Sequence, residues 1–314
     1  MQRLTQERGA VSVVVALLMV PLLGFAALSI DIAGMWSEQQ QLQSGADAGA
    51  LAVAQDCARN NCQTPSQTVQ TMATANVNDG LATATVTPGV TPTSGQVTVS
   101  NAGVRHYLFA EVLGHSQATI TTTATAGWGS PTGGTAALPL TFSICEFNAQ
   151  TGGGLPSGTT TRVIYFTKSS GTNCTGPSHN AVPGGFGWVT PDSGTCSATS
   201  STSSMLSSST GSSVPGGCTA ANIAAQQGQV VLLPIFDQAS GNGANASYHV
   251  YGYAAFRLVG YNFKSKYTFN ASECLKPNVD CIKGYFLQFV DMNSAFHYGS
   301  GAPNLGASVV TLTK

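Results

Sequence analysis

Residues 10–30, AVSVVVALLMVPLLGFAALSI, carry no charged side chain, and no other stretch constrains the fold so tightly. As a helix, a run of this length matches the hydrocarbon core of a bilayer, about 30 Å thick. The apolar core of a secretory signal is shorter, and no A-x-A cleavage site follows; Gly24-Phe25-Ala26 is the nearest small-x-small candidate. The run therefore reads as a retained transmembrane helix, with cleavage there as the alternative. Pro21 should kink it, which membrane spans tolerate. Arg3 and Arg8 precede the run, whereas Asp31, Glu38, Asp47 and Asp56 follow it before the next cation, Arg59. Cationic flanks stay cytoplasmic. Residues 1–9 are thus expected inside and the bulk outside, in a single pass through the cytoplasmic membrane. Trp36 stands where an interfacial aromatic would mark the outer end.

Beyond the span, residues 35–58 contain no proline, and Leu42, Ala46, Gly49 and Val53 recur at helical spacing. With Gly45 they form a narrow face of small residues, the small-xxx-small pattern that lets helices approach closely. That face would either take a partner helix or dock on the chain's own outer region, and the pattern alone does not choose. We assign residues 31–80 to an extracytoplasmic, alanine-rich helix.

Arg8-Gly9-Ala10, the apolar span closed by Asp31, then Leu42-Gln43 and Ala46-Asp47-Ala48-Gly49-Ala50-Leu51-Ala52 occur in that order. This series resembles the N-terminal region of TadG-like proteins of Flp (Tad) pilus assembly, with Gly9, Asp31, Gln43 and Asp47 as the motif positions. The resemblance covers about 50 residues. It implies a cytoplasmic-membrane protein of the tight-adherence pilus locus, with the membrane and other Tad/Flp pilus-assembly proteins as its partners. Two departures limit it. The position where type IV pilins and the TadE- and TadF-like pseudopilins carry Glu, fifth after the processed Gly, is Val14 here, which argues against prepilin processing. The nearest string to the DxSxS metal site of a von Willebrand factor A domain is Asp291-Met292-Asn293-Ser294-Ala295, which breaks the pattern at its third and fifth positions. No metal or cofactor is expected.

The chain has 12 Lys+Arg against 13 Asp+Glu and a net charge of −1, with no cationic cluster of the kind that neutralises phosphates. A nucleic-acid partner is not expected. Cys57, Cys62, Cys145, Cys174, Cys196, Cys218, Cys274 and Cys281 make an even set without a CxxC pair, which suggests disulfides in an oxidising compartment rather than zinc. Short spacing favours Cys57–Cys62 and Cys274–Cys281. Cys196 and Cys218 bracket a Ser/Thr/Gly tract and Cys145–Cys174 would complete the set, although connectivity is not deducible from sequence.

The fold class expected is α+β: the membrane helix continuing outward, then a mostly β, disulfide-stapled outer region. Thr/Val-rich runs over 81–127 read as a small β unit, 128–136 as a Gly/Pro linker, and 137–314 as a mostly β domain with an exposed loop at 193–217. In the strand expected from Tyr248 to Phe263, alternation places Tyr251, Tyr253, Ala255, Arg257, Val259, Tyr261 and Phe263 on one face, opposite Phe256 and Leu258.

Gly114-His115-Ser116-Gln117-Ala118 comes close to a hydrolase nucleophile elbow, but that device needs a helix directly after the serine. A β-branched run follows instead, and His179, His249 and His297 show no acid–base spacing to it. The bland reading, an apolar run ended by Gly114 ahead of a strand, is preferred, and no catalytic residue is assigned. The function expected is thus a membrane-anchored, non-catalytic structural or assembly component of a Tad/Flp-type pilus or related secretion system. A membrane-tethered surface binding or adhesive protein is the alternative, and an anchored serine hydrolase ranks third.

Overall fold

The computed structural model describes residues 7–209, 213–264, 267–276, 278–288 and 290–313, with the backbone alone for 7–10. Arg3 lies outside them. The first element, α1, is one helix, Glu7–Ala58, that runs past Pro21 without interruption. Its first half is exposed, with every residue from 11 to 30 open except Ala27. The environment changes at Asp31. From there Asp31, Glu38, Leu42, Ala46, Ala50, Val53, Ala54 and Cys57 form one buried face at helical spacing.

The expected helix over 31–80 is two helices. The chain reverses after Ala58 through Asn60 at φ 62°, and α2, Pro65–Asn76, runs back along α1. Pro65 explains the break: it cannot supply the N–H of a continuing helix but suits a first turn. The Cys57–Cys62 disulfide closes the reversal.

This pair packs on an antiparallel sheet. Strand β1, Thr83–Val86, pairs β2, Gln96–His106, which pairs β3, Gln117–Ala136. The β2–β3 hairpin is closed by a tip at residues 107–116 that holds a 3-10 turn, Ala110–Leu113. Val97, Val99, Ala124 and Ala126 meet the buried face of α1.

Residues 128–136 are not a linker. They are the second half of β3, which passes from one group of partners to another without a break. The glycines that read as turn signals serve close packing. A Cβ at Gly129 would meet the Gly299 backbone at 2.9 Å, and one at Gly134 the Ala295 carbonyl at 2.3 Å. Pro131 sits where the ladder shifts register, a position strands allow to proline.

The second sheet begins with β4, Leu140–Ser143, which leads into α3, Ile144–Thr151. The Ser143 side chain caps α3; two helical turns were too short to show as periodicity. There follow β5 (Arg162–Tyr165), α4 (Thr167–Ser170), the small hairpin of β6 (Asn173–Thr175) and β7 (Ala181–Pro183), and β8 (Phe186–Trp188). Next come β9 (Ala198–Ser201), β10 (Met205–Ser207) and α5 (Ala220–Ala224). The long strands β11 (Val230–Ser240) and β12 (Ser247–Phe263) precede β13 (Tyr267–Phe269) and β14 (Cys281–Leu287). Last are β15 (Phe296–Gly299) and β16 (Val309–Leu312). The order is β5-β14-β12-β11-β4-β8, with β10 and β13 also on β12, while β9, β15 and β16 return to β3.

Two expectations change here. The tract 193–217 is not simply an exposed loop: its described residues include β9 on β3 and β10 on β12, because a backbone ladder needs no apolar side chains. Residues 210–212 of that tract lie outside the described residues. In β12, a bulge at Val259 inserts one residue between the partners of Gly284 and Lys283. Alternation flips there, so Tyr261 and Phe263 share the face of Phe256 and Leu258, not that of Arg257.

The core of this sheet is aromatic. Phe142, Phe186, Trp188, Phe256, Phe263 and Phe286 are buried, with Phe142–Phe256 and Trp188–Phe263 ring centroids 4.9 Å apart. Four disulfides, Cys57–Cys62, Cys145–Cys174, Cys196–Cys218 and Cys274–Cys281, complete the framework. The Cys196–Cys218 loop alone contributes about 3 kcal/mol by restricting the unfolded chain.

One buried acid is poorly served. Both carboxylate oxygens of Asp280 and the Trp188 indole N–H lack a hydrogen-bond partner within ordinary length. Burial pushes the Asp280 carboxyl up; Trp188 and Lys264, close by, offset this only in part. A carboxyl raised on folding binds its proton more tightly in the native state, so it costs stability above its native value, and that cost fades as pH falls below it. Asp280→Asn should therefore raise stability at pH 7 by about 1 kcal/mol. The gain should close near pH 4, as read by denaturant melting in detergent at both pH values.

Candidate functional site at the base of the outer region

The residues singled out in the N-terminal motif converge on one place, the joint between α1 and the hairpin β2–β3. Asp31 is the first polar residue after the apolar run and is buried. Its carboxylate accepts the backbone N–H groups of Leu108 (2.8 Å), Phe109 (3.0 Å) and Ala110 (2.7 Å). These donors start a 3-10 turn and would otherwise lack partners. Burial by itself would raise the Asp31 carboxyl, but the three N–H groups, with the Arg105 guanidinium, outweigh it and hold it below its ordinary value.

Above this clamp the hairpin runs along α1. Arg105 lies across Gly34, where a Cβ would stand 2.8 Å from the guanidinium. The Tyr107 hydroxyl donates to the Met35 sulfur at 3.2 Å. Gly103 faces Glu38 and Leu42, and the Asn101 amide donates to the Leu42 carbonyl at 3.2 Å. Gln43 donates to Asp47 at 2.8 Å and to the Thr123 carbonyl of β3 at 3.2 Å. Thus Asp31 and Gln43 bond the helix to the hairpin, and Asp47 orients Gln43. Gly9 lies near the start of α1, more than twenty residues before Asp31.

The small-residue face is occupied by the chain itself. A Cβ on Gly45 would stand 3.2 Å from Ala73 Cα, and one on Gly49 3.5 Å from Val69 Cα. Leu42 packs with Ala73 and Val77, and Ala46 and Val53 with Val69, Val97 and Val99. Of the two uses left open by the sequence, self-docking is the one seen here, so a large side chain at 49 would disturb the fold itself. The far end of α1 is tied down as well, since the Asn304 amide donates to the Ala58 carbonyl at 2.6 Å.

Ser116 ends the hairpin tip, accepts the Tyr107 N–H through its carbonyl, and is followed at once by β3. The nearest thing to a catalytic pair, His249 Nδ1 on Asp237 Oδ1 at 2.6 Å, belongs to β11 and β12 in the other sheet. Asp291, Asn293 and Ser294 sit in an exposed loop whose Asn293 bonds Tyr298 and Ala295. The sequence did not point to Arg105, Asn101 or the tip at 107–110 as members of the joint. The available signal was the short apolar run Leu108-Phe109 ahead of Val112-Leu113, in a hairpin loop that would ordinarily be polar.

Residues 9–56 match the Tad family model, Flp pilus-assembly TadE/G-like. The match covers nearly all of α1 and includes Asp31, Gln43 and Asp47. The N-terminal region is thus similar to the TadE/G-like Tad family over these residues. No curated protein and no solved structure matches the chain.

Two outcomes follow from this geometry. A carboxyl held low on folding stabilises fully above its unfolded value and loses that effect as pH falls through its native one. The amides of Leu108, Phe109 and Ala110 should be protected from hydrogen exchange at neutral pH. They should lose protection in Asp31→Ala, and in the wild type once pH drops below the ordinary carboxylate range. At position 49, alanine fits and should be neutral or slightly stabilising, because it improves helix propensity by about 0.8–1.0 kcal/mol. Leucine there should destabilise by about 1–3 kcal/mol in denaturant melts.

Proposed function

We propose that this chain is a membrane-anchored, non-catalytic component of Tad/Flp pilus assembly. It lies in the cytoplasmic membrane with its N-terminus inside and its β-rich bulk outside. One observation carries this reading: the Tad match falls on a helix whose outer half is built into the folded outer region. The first half of α1 is apolar and open on all sides, as a lipid-facing helix would be. The second half, from Asp31 to Ala58, extends about 40 Å as the spine on which α2 and β1–β3 pack. Such a part acts by position. It holds an outer domain at a fixed distance from the membrane, where other pilus-assembly proteins could bind it.

Deletion of the gene should abolish surface piliation in a Tad-bearing host. The wild type and Ser116→Ala should both restore it, and a C-terminal alkaline phosphatase fusion should be active where an N-terminal one is not. Normal piliation in the deletion strain would refute the assembly role. Failure of Ser116→Ala to complement, despite normal protein level, would reinstate an enzymatic reading.

A further inference from the structure

The tip of the β2–β3 hairpin exposes four large apolar side chains within six residues: Leu108 (65 %), Phe109 (43 %), Val112 (89 %) and Leu113 (68 %). Exposed singly, such residues need no explanation. Together, on a tip that nothing in the fold covers, they form a patch whose removal from water would be favourable.

Its position says what covers it. The Asp31 carboxylate bonds residues 108–110 directly, so the tip is held level with the first residue beyond the apolar run. Ala27, one turn further toward the span and on the same side of α1 as Asp31, is half-buried, while residues 11–26 are all exposed. The tip therefore lies beside the last apolar turn of the helix.

Most of the tip's backbone N–H groups are bonded, which favours an apolar surrounding, where each unsatisfied N–H or C=O costs several kcal/mol. The N–H groups of 108, 109 and 110 go to Asp31. Tyr107 donates to the Ser116 carbonyl, Val112 to Phe109, Gly114 to Glu111 and His115 to Ala110. Polar groups flank the apolar ones as expected at a headgroup boundary, His106 and Arg105 on β2 and His115 beyond the turn, while Glu111 stands exposed between Phe109 and Val112. Trp36, 65 % exposed, stands about a turn and a half outward on α1.

We infer that the hairpin tip is a second membrane contact, with Leu108, Phe109, Val112 and Leu113 inserted into the outer leaflet of the bilayer that α1 crosses, and with Asp31 setting the depth. This rests on the reading of α1 as the membrane anchor. Two contacts differ from one in kind: a single helix leaves the outer region free to tilt against the bilayer, and a second point restrains that tilt.

The test is photocrosslinking of the full chain in its native membrane. A benzophenone amino acid is placed at position 112, at position 18 inside the span, or at position 275, an exposed site on the far sheet (Leu275, 80 % exposed). Mass spectrometry then reads phospholipid adducts. Adducts at 112 should approach those at 18 and exceed those at 275 at least tenfold, and Asp31→Ala should lower the yield at 112 without changing that at 18. Lipid adducts at 18 with none at 112, or adducts at 112 to protein instead of lipid, would overturn the inference and leave the anchor reading intact. Absence of lipid adducts at 18 would remove the anchor reading and this inference with it.

Discussion

A helix that passes from an open apolar stretch into a folded region must change what satisfies its surface, and in this chain the change occurs at a single carboxylate. Below Asp31 α1 shows apolar side chains in every direction; above it, one face is buried by the chain's own strands. Asp31 is held charged by three backbone amides of the hairpin tip, so the same residue ends the apolar segment and starts the folded one. That bond fixes the height of the hairpin tip on the helix, at the end of a ladder of contacts that runs up to Asn101 and Thr123.

The composition of the face above it follows. Sheet and helices approach closely only where side chains are small, and Gly34, Gly45, Ala46, Gly49 and Ala50 supply that closeness on one side. Gly103, Ala124 and Ala126 supply it on the other. The pattern is the one that brings helices together in membranes, but here it is used in water and within one chain. Polar contacts fix the register: Asn101 on the Leu42 carbonyl and Gln43 on the Thr123 carbonyl.

Legibility differed along the chain for physical reasons. The apolar helix, its continuation, the long central strand and the oxidised cysteines were readable because apolar length, helical spacing and residue type each carry one meaning there. The joint was half readable. Asp31 and Gln43 stood out through the motif, but their partners at 107–110 and 123 lie nearly 80 residues away, and backbone N–H groups and carbonyls leave no trace in side-chain identity. The stretch 128–136 misled because glycine and proline mark a turn and a crowded strand alike; only the neighbour, here Gly299 and Ala295, distinguishes them. The bulge at Val259 is silent for a similar reason, since one extra residue changes no local composition yet reverses the facing of Tyr261 and Phe263.

The strand β3 has a consequence for how the molecule is made. It lies under α1 through one half and receives β15 and β16 along the other. Ser130 on it bonds Ser308, 178 positions later, and Asn304 completes the end of α1 at Ala58. As the chain emerges, the helix and its hairpin come first, but their layer lacks its closing strand until residues 304–312 have followed. In the interval the second sheet grows as a long excursion between two pieces of one unfinished sheet, which keeps an open edge. Open edges invite foreign strands, and such distant pairings form slowly. Biogenesis should therefore be the stage at which this protein most needs protection, and its most vulnerable form is the chain that still lacks residues 304–312.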